Sequence, residues 1–213
     1  MAELARRGVM MVLASPSGAG KSSISRALFE QDPNISLSVS VTTRARRTDE
    51  IHGKHYWFVD VAEFRRMEAA GELLESAEVH SNFYGTPRAK VEERLRAGRD
   101  ILFDIDYQGT LQLLEKCRSD MVTIFILPPS IRELRKRLER RAQDSKGTIE
   151  KRLKNARLEM DHYAEYDYVI VNRDLEDSVQ KVRTILAAAR LERERYAGLP
   201  AFVRRLQKQI DVL

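Results

Sequence analysis

The sequence predicts an α/β fold, a parallel sheet covered by helices on both faces. Three observations predict it. Predominantly apolar runs at residues 9–14, 101–105, 122–127 and 168–171 are short, as strands buried on both sides require. Segments with helical spacing separate them. The first run passes directly into a glycine-rich loop and then into a helix.

Each element follows in order. Residues 9–14 form a buried strand, Ser15-Pro-Ser-Gly-Ala-Gly-Lys-Ser-Ser23 the loop, and Ile24, Ala27 and Leu28 one face of the first helix. Residues 37–42 alternate at period two, and the stretch to Pro87 holds most of the aromatic residues, which predicts an insert with its own small sheet. A strand at 101–105 returns to the main sheet. Pro128-Pro129 ends the strand at 127, and 131–141 is a helix carrying Arg132, Arg135, Arg137, Arg140 and Arg141, broken by residues 143–147. After the strand at 168–171, the spacing of Leu175, Val179, Val182, Leu186 and Ala189 predicts one long amphipathic helix from 175 to about 196, with Asp174 as its N-cap. No repeat or low-complexity segment interrupts this order.

The 213 residues include 37 Lys+Arg against 32 Asp+Glu, a net charge of +5, and 43% are apolar. That composition supports one sizeable core with small inserts and excludes collagen-like, disordered and disulfide-scaffold classes. No apolar run approaches the roughly 18–20 residues that span a bilayer. The opening Met-Ala-Glu-Leu-Ala-Arg-Arg lacks a secretory pattern, and the lone Cys117 reads as a reduced structural thiol, so a cytoplasmic setting is expected. The pI of about 9.4 permits nucleic-acid binding, but much of the basic charge lies beside acidic residues.

Backbone N–H groups in a glycine-rich turn that opens a helix form a concave site for phosphate oxygens. Residues Ser15, Pro16, Ser17, Gly18, Ala19, Gly20, Lys21, Ser22 and Ser23 fit that description, although the generic pattern begins with glycine where this chain has Ser15. Lys21 would reach the β- and γ-phosphates and Ser22 would offer a hydroxyl to Mg2+. Asp104, closing an apolar strand, would stand at the strand's C-terminal edge and hold the ion through water, with Asp106 two residues on.

No Asn-Lys dipeptide occurs in the chain, which disfavours a GTP-hydrolysing switch. A second basic and aromatic constellation in the insert favours a kinase that holds a second phosphorylated substrate. At this point the motifs Ser-Val-Thr-Thr-Arg44, Gly53-Lys-His-Tyr56, Phe83-Tyr-Gly-Thr86, Asp104-Ile-Asp-Tyr-Gln-Gly109 and Ile126-Leu-Pro-Pro-Ser130, together with the phosphate loop, resemble guanylate kinase over residues 8 to 190. The resemblance implies a P-loop NTPase-type core (1–36, 88–128 and 158–213), a GMP-binding subdomain (37–87) and a helical lid (129–157). It implies phosphoryl transfer from Mg-ATP to GMP.

By position, the resemblance places the GMP phosphate against Arg44, Arg47, Tyr56 and Tyr84. Guanidinium forks match phosphate oxygens bidentately and phenolic hydroxyls add neutral donors. Glu75 and Asp106 would read the guanine N1–H and N2–H2 donors, and Ser40 and Thr86 would supply hydroxyls for O6. Lys21, Arg44, Arg137, Arg141 and Arg152 would supply catalytic positive charge, and Asn172 would stand beside the adenine. Glu75, outside the motif, would read as a carboxylate at a helix end on the surface.

The lid departs from the family pattern, Arg-Gly-Arg-Gly-x-Asp. This chain reads Arg140-Arg141-Ala142-Gln143-Asp144. Three rivals are weighed against the kinase: a guanylate-kinase-like interaction module without catalysis, a nucleic-acid-binding ATPase, and a kinase for another small phosphate ester. An intact phosphate loop disfavours the first. The expected partners are ATP and GMP or dGMP, with no nucleic acid and no membrane. Self-association is compatible with the reading, which does not decide whether the basic tail at 191–213 packs on the core or mediates assembly.

Overall fold

The computed structural model describes residues 4–79, 81–105, 107–140 and 146–211. In chain order, β1 is Met10–Ala14, α1 Lys21–Gln31, β2 Ile35–Leu37, β3 Val41–Thr42, β4 Trp57–Phe58, α2 Val61–Ala69, β5 Leu73–Val79 and β6 Asn82–Pro87. There follow α3 Arg88–Arg96, β7 Asp100–Phe103, α4 Tyr107–Cys117, β8 Met121–Leu127, α5 Ile131–Arg140, α6 Lys146–Met160, β9 Tyr168–Val171, α7 Leu175–Arg190 and α8 Leu199–Ile210. The main sheet has the order β2-β7-β1-β8-β9 with every pairing parallel.

Because successive strand residues face opposite ways, β1 feeds two cores at once. Met11 and Leu13 join Ile24 and Leu28 of α1 and Val179, Val182 and Leu186 of α7 on one face. Met10 and Val12 join Val91 and Leu95 of α3 and Leu113 of α4 on the other. Two covered faces explain why these strands read as predominantly apolar runs. The expected α/β class and inserted small sheet are both present.

A second sheet, of order β4-β3-β6-β5, mixes parallel and antiparallel pairs. It has its own core of Val41, Phe64 and Leu73, with Trp57 and Phe83 packed against it. The α5–α6 pair likewise shares a small core of Leu134, Leu138 and Ala156.

Four expectations are corrected. The alternating segment at 37–42 is divided between the sheets: β2 pairs with β7 in the main one, Leu37 opposite Leu102, and only β3 enters the insert. Alternation reports a face, not which sheet the face belongs to. The strand expected to reach 105 ends at Phe103, so Asp104 lies just past its end. The breaker expected at 143–147 lies partly outside the described residues, and Lys146 and Gly147 already belong to α6. The long C-terminal helix stops at Arg190, with a short 3-10 turn at Arg193–Arg195 and the separate α8 after it. Asp174 caps α7 as expected, accepting from the Asp177 N–H at 2.9 Å.

The core also holds a charge that periodicity does not reveal. Asp100 has no exposed surface. It accepts from Arg6 at 2.8 and 3.0 Å, from Arg190 Nε at 2.7 Å and from the Val9 N–H at 2.8 Å. Arg190 also pairs with Asp32 at 2.7 Å. The cluster joins the N-terminal segment, β7 and the end of α7. Among the described residues, no helix is long and apolar enough to cross a membrane.

Candidate active site

The phosphate loop follows β1, and glycine conformation sets its shape. Gly18 and Gly20 have φ of 92° and 114°, the left-handed region that side chains disfavour. Space is equally restrictive. A Cβ at Gly20 would stand 2.2 Å from Asn172 Nδ2, and one at Gly18 would stand 2.9 Å from Leu138 Cδ2 of α5. Asn172, at the end of β9, donates to the Ala19 carbonyl at 2.8 Å and accepts from the Ser178 hydroxyl at 3.0 Å. Arg137 of α5 reaches the same carbonyl at 3.2 Å and the Asn172 carbonyl at 3.1 Å. The loop is thus buttressed from β9, α7 and α5 together.

Lys21 begins α1 and pairs with Asp104, whose side chain is 57% exposed beyond β7. Both line a cavity of about 600 Å³ with Ser15, Tyr107, Gln108, Glu159 and His162. The Glu159 carboxylate of α6 accepts from the Ser17 N–H at 3.2 Å. His162 stacks on Tyr107 with ring centroids 3.5 Å apart, joining the segment after α6 to α4.

In the insert, a cavity of about 250 Å³ is lined by Ser40, Tyr56, Glu75, Ala77, Tyr84, Asp104 and Ile105. Glu75 lies on β5, only 4% exposed, and accepts from Thr86 Oγ1 at 2.7 Å. The surface helix end anticipated for Glu75 from its immediate sequence is therefore wrong; it is a buried strand carboxylate. Tyr56 and Tyr84 meet edge to face with centroids 6.0 Å apart. Arg44 approaches the Tyr56 ring at 5.4 Å and donates to Glu50 at 2.6 Å. That bond holds the Glu50 carboxyl at a pKa of about 2 and raises Arg44 above its usual value. Burial pushes the Tyr56 hydroxyl up, keeping it a neutral donor.

The two cavities share Asp104 and Ile105 in their linings, so the phosphate loop and a polar, aromatic second pocket lie next to one another. Comparison with known proteins points the same way. A family model described as guanylate kinase matches residues 7–189. The guanylate kinase of Paramagnetospirillum magneticum is 56% identical over 96% of this chain and 95% of its own length, and that of Rhizobium meliloti 56% identical over 94% and 92%. The crystal structure of guanylate kinase from Anaplasma phagocytophilum aligns with a TM-score of 0.72 at 42% identity, covering 94% of this chain and 96% of that one. The chain belongs to the guanylate kinase family.

Within this guanylate kinase fold, the expected site residues distribute unevenly. Ser15, Lys21 and Asp104 line the loop cavity, while Ser40, Tyr56, Glu75, Tyr84 and again Asp104 line the insert cavity, with Thr86 buried behind it. Ser22 and Ser23 are exposed at the start of α1. Asn172 and Arg137 make their hydrogen bonds to the loop backbone and to neighbouring groups. Arg47 is exposed, its backbone N–H held by Glu50 at 2.9 Å. Arg152 is half-buried on α6. Asp106 and Arg141 lie outside the described residues.

Residue-by-residue reading missed three groups. Glu50 had a local signal, an acid six residues after Arg44 across a turn. Glu159 and His162 had none, because their partners lie on distant elements.

Proposed function

We propose that the chain acts as an ATP:GMP phosphotransferase with the phosphate loop as its ATP end and the insert cavity as its GMP end. Guanylate kinase activity follows from the family. The assignment of the two ends rests on one observation, the adjacency of the two cavities, whose linings share Asp104 and Ile105.

In phosphoryl transfer the protein mainly positions the reactants and stabilises spread charge. The loop N–H groups and Lys21 would hold the triphosphate. Arg44, Arg47, Tyr56 and Tyr84 would hold the GMP phosphate, whose oxygen attacks without needing a protein nucleophile. Glu75 and Asp106 would accept from the guanine N1–H and N2–H2, with Ser40 and Thr86 as hydroxyl partners. Adenine presents a lone pair where guanine presents N1–H, which leaves a buried carboxylate opposed rather than paired. Arg137, Arg141 and Arg152 would add positive charge from the lid side, 129–157, closing on the core over subdomain 37–87. Asn172 would border the adenine through the loop it buttresses.

Mg2+ suits the site because it favours hard oxygens and takes one or two carboxylates with phosphate oxygens. Ser22 and Asp104 offer such donors at the loop. When bound, the ion neutralises charge on the β- and γ-phosphates. A cytoplasmic setting, where both nucleotides are abundant, fits this chemistry.

The test is ADP formation from Mg-ATP with GMP, dGMP, AMP, CMP and UMP in parallel. Turnover confined to the guanine nucleotides is expected, and Lys21→Ala should abolish most of it with the fold intact. Equal turnover with AMP would overturn the assignment of the guanine end.

A further inference from the structure

We propose that Glu159 is a specificity-determining residue of the phosphate loop, an internal carboxylate that weakens the hold on ATP relative to ADP. The inference rests on the reading of the loop as the ATP end. Glu159, in the last turn of α6, accepts from the Ser17 N–H at 3.2 Å. Backbone N–H groups of such a loop are donors for phosphate oxygens, so the acid stands where the loop is built to favour a nucleotide's charge. The same carboxylate lines the loop cavity with Lys21 and Asp104. Lys21 is paired with Asp104, and among the described residues no lysine or arginine forms an ion pair with Glu159. Among those residues its charge is met by one backbone donor alone.

Neither helix stability nor packing accounts for an acid at this place. An acid in the last turn faces the negative end of the helix dipole, a disfavoured position, and Glu159 is exposed. The helix around it is braced. Ala156, three residues earlier, packs with Leu134 and Leu138 of α5, whose methyl groups a Cβ at Gly18 would meet at 3.1 and 2.9 Å. Just beyond α6, His162 stacks on Tyr107. The carboxylate is thus delivered to the loop by a fixed helix end. Arg152 lies seven residues earlier, two turns back on nearly the same face, so the helix that carries a base expected to favour the triphosphate carries an acid at the end touching the loop. Charge then separates the nucleotides. ATP brings one more negative charge than ADP into the cavity that Glu159 shares with Lys21, and like charges at such range repel more strongly beside protein than in bulk water. ADP, one phosphoryl group shorter, meets less of that repulsion.

The test is calorimetric titration of the full chain with ATP and with ADP in EDTA, where nucleotide charge alone is read, comparing wild type with Glu159→Gln. The amide keeps the side chain's size and an oxygen acceptor for the Ser17 N–H while removing the charge. Glu159→Gln should tighten ATP about three- to tenfold and ADP by a smaller factor. Because the carboxylate is exposed, the gain should shrink between about 50 and 500 mM KCl, which a merely structural role would not produce. In turnover the variant should lower KM for ATP and leave KM for GMP unchanged. An equal change for ATP and ADP, a gain that ignores salt, an unchanged KM for ATP, or weaker ATP binding in Glu159→Gln overturns the proposal. ATP binding that survives Lys21→Ala undiminished overturns the reading of the loop itself instead.

Discussion

Thr86 Oγ1 donates to the Glu75 carboxylate at 2.7 Å across the β5–β6 pair, fixing the acid at the floor of the insert cavity. Both side chains are buried, so the carboxylate keeps its orientation before any nucleotide arrives. Glu75→Gln should place an amide donor against the guanine donors. A buried mismatch of that kind costs ~1–3 kcal/mol, about 10- to 100-fold in kcat/KM for GMP. The KM for ATP should not change. Thr86→Val, which removes only the orienting hydroxyl, should give a smaller loss of the same kind. Steady-state kinetics with each substrate varied in turn decides this, and equal losses for ATP and GMP would remove Glu75 from base reading.

Gly20 and Asn172 form a second matched pair. Gly20→Ala meets two obstacles, a left-handed φ that costs ~1–2 kcal/mol for a side chain and a Cβ 2.2 Å from the Asn172 amide. The variant should lose ATP binding by at least ~100-fold, since the loop must move to relieve the contact. Asn172→Ala alone should cost ~1–3 kcal/mol of stability through its two buried hydrogen bonds. The double variant should be better than the sum of the two, because Asn172→Ala removes the clash while the φ strain remains. A thermal-denaturation and nucleotide-binding cycle measures that coupling. Strict additivity would refute the contact.

How much of this was legible in the sequence depends on the range of the cause. Gly18 and Gly20 were readable because loop conformation is local, and so was Asp174, whose cap spans three residues. The boundary between the two sheets was not, since β2 joins the main sheet only through its pairing with β7, far along the chain. Glu75 gave no sign of its burial, because what buries it is the neighbouring strand and α4, whose Gly109 would carry a Cβ only 3.1 Å from the carboxylate. Asp100 has no local signal for the same reason; its cations come from residues 6 and 190. Motif resemblance brought Glu75 into the site where its own surroundings in sequence could not.

Asp100 should be the stability counterpart of the site residues. Two guanidinium groups converge on a carboxylate without solvent contact, and Asp100→Asn takes this counter-charge from Arg6 and leaves Arg190 with Asp32. Breaking a buried pair costs ~3–5 kcal/mol. For a chain of this length each kcal/mol moves Tm by ~2–4 °C, so a fall of about 6–20 °C is expected. Urea unfolding should show a lower midpoint with an unchanged slope. Kinetic constants measured well below the new Tm should stay near wild type, because the cluster joins chain segments away from both cavities. A loss under 1 kcal/mol would show that the ion cluster is replaceable by neutral hydrogen bonding.

Arg44 and Glu50 carry the pH dependence that belongs to the insert. The Arg44 bond, with the Arg47 N–H, lowers the Glu50 carboxyl from its usual 4.5 to about 2 in the folded chain. A folded value below the unfolded one means that the pair contributes above pH 4.5 and is lost as pH falls towards 2. At neutral pH it is intact, so GMP kinetics should show no Glu50-linked change between about pH 5 and 8. Carboxyl-resolved NMR at about pH 3.5 should find Glu50 ionised in wild type and largely protonated in Arg44→Ala, which removes the main cause of the shift. Glu50→Gln should let Arg44 leave its position over Tyr56, raising KM for GMP while leaving KM for ATP unchanged. If Glu50 titrates near 4.5 in the wild-type chain, the pair does not hold Arg44 in solution, and the preorganisation of the phosphate-binding arginine must come from the Ala45 carbonyl, which accepts from Arg44 at 2.8 Å, from Tyr84 and from the aromatic rings.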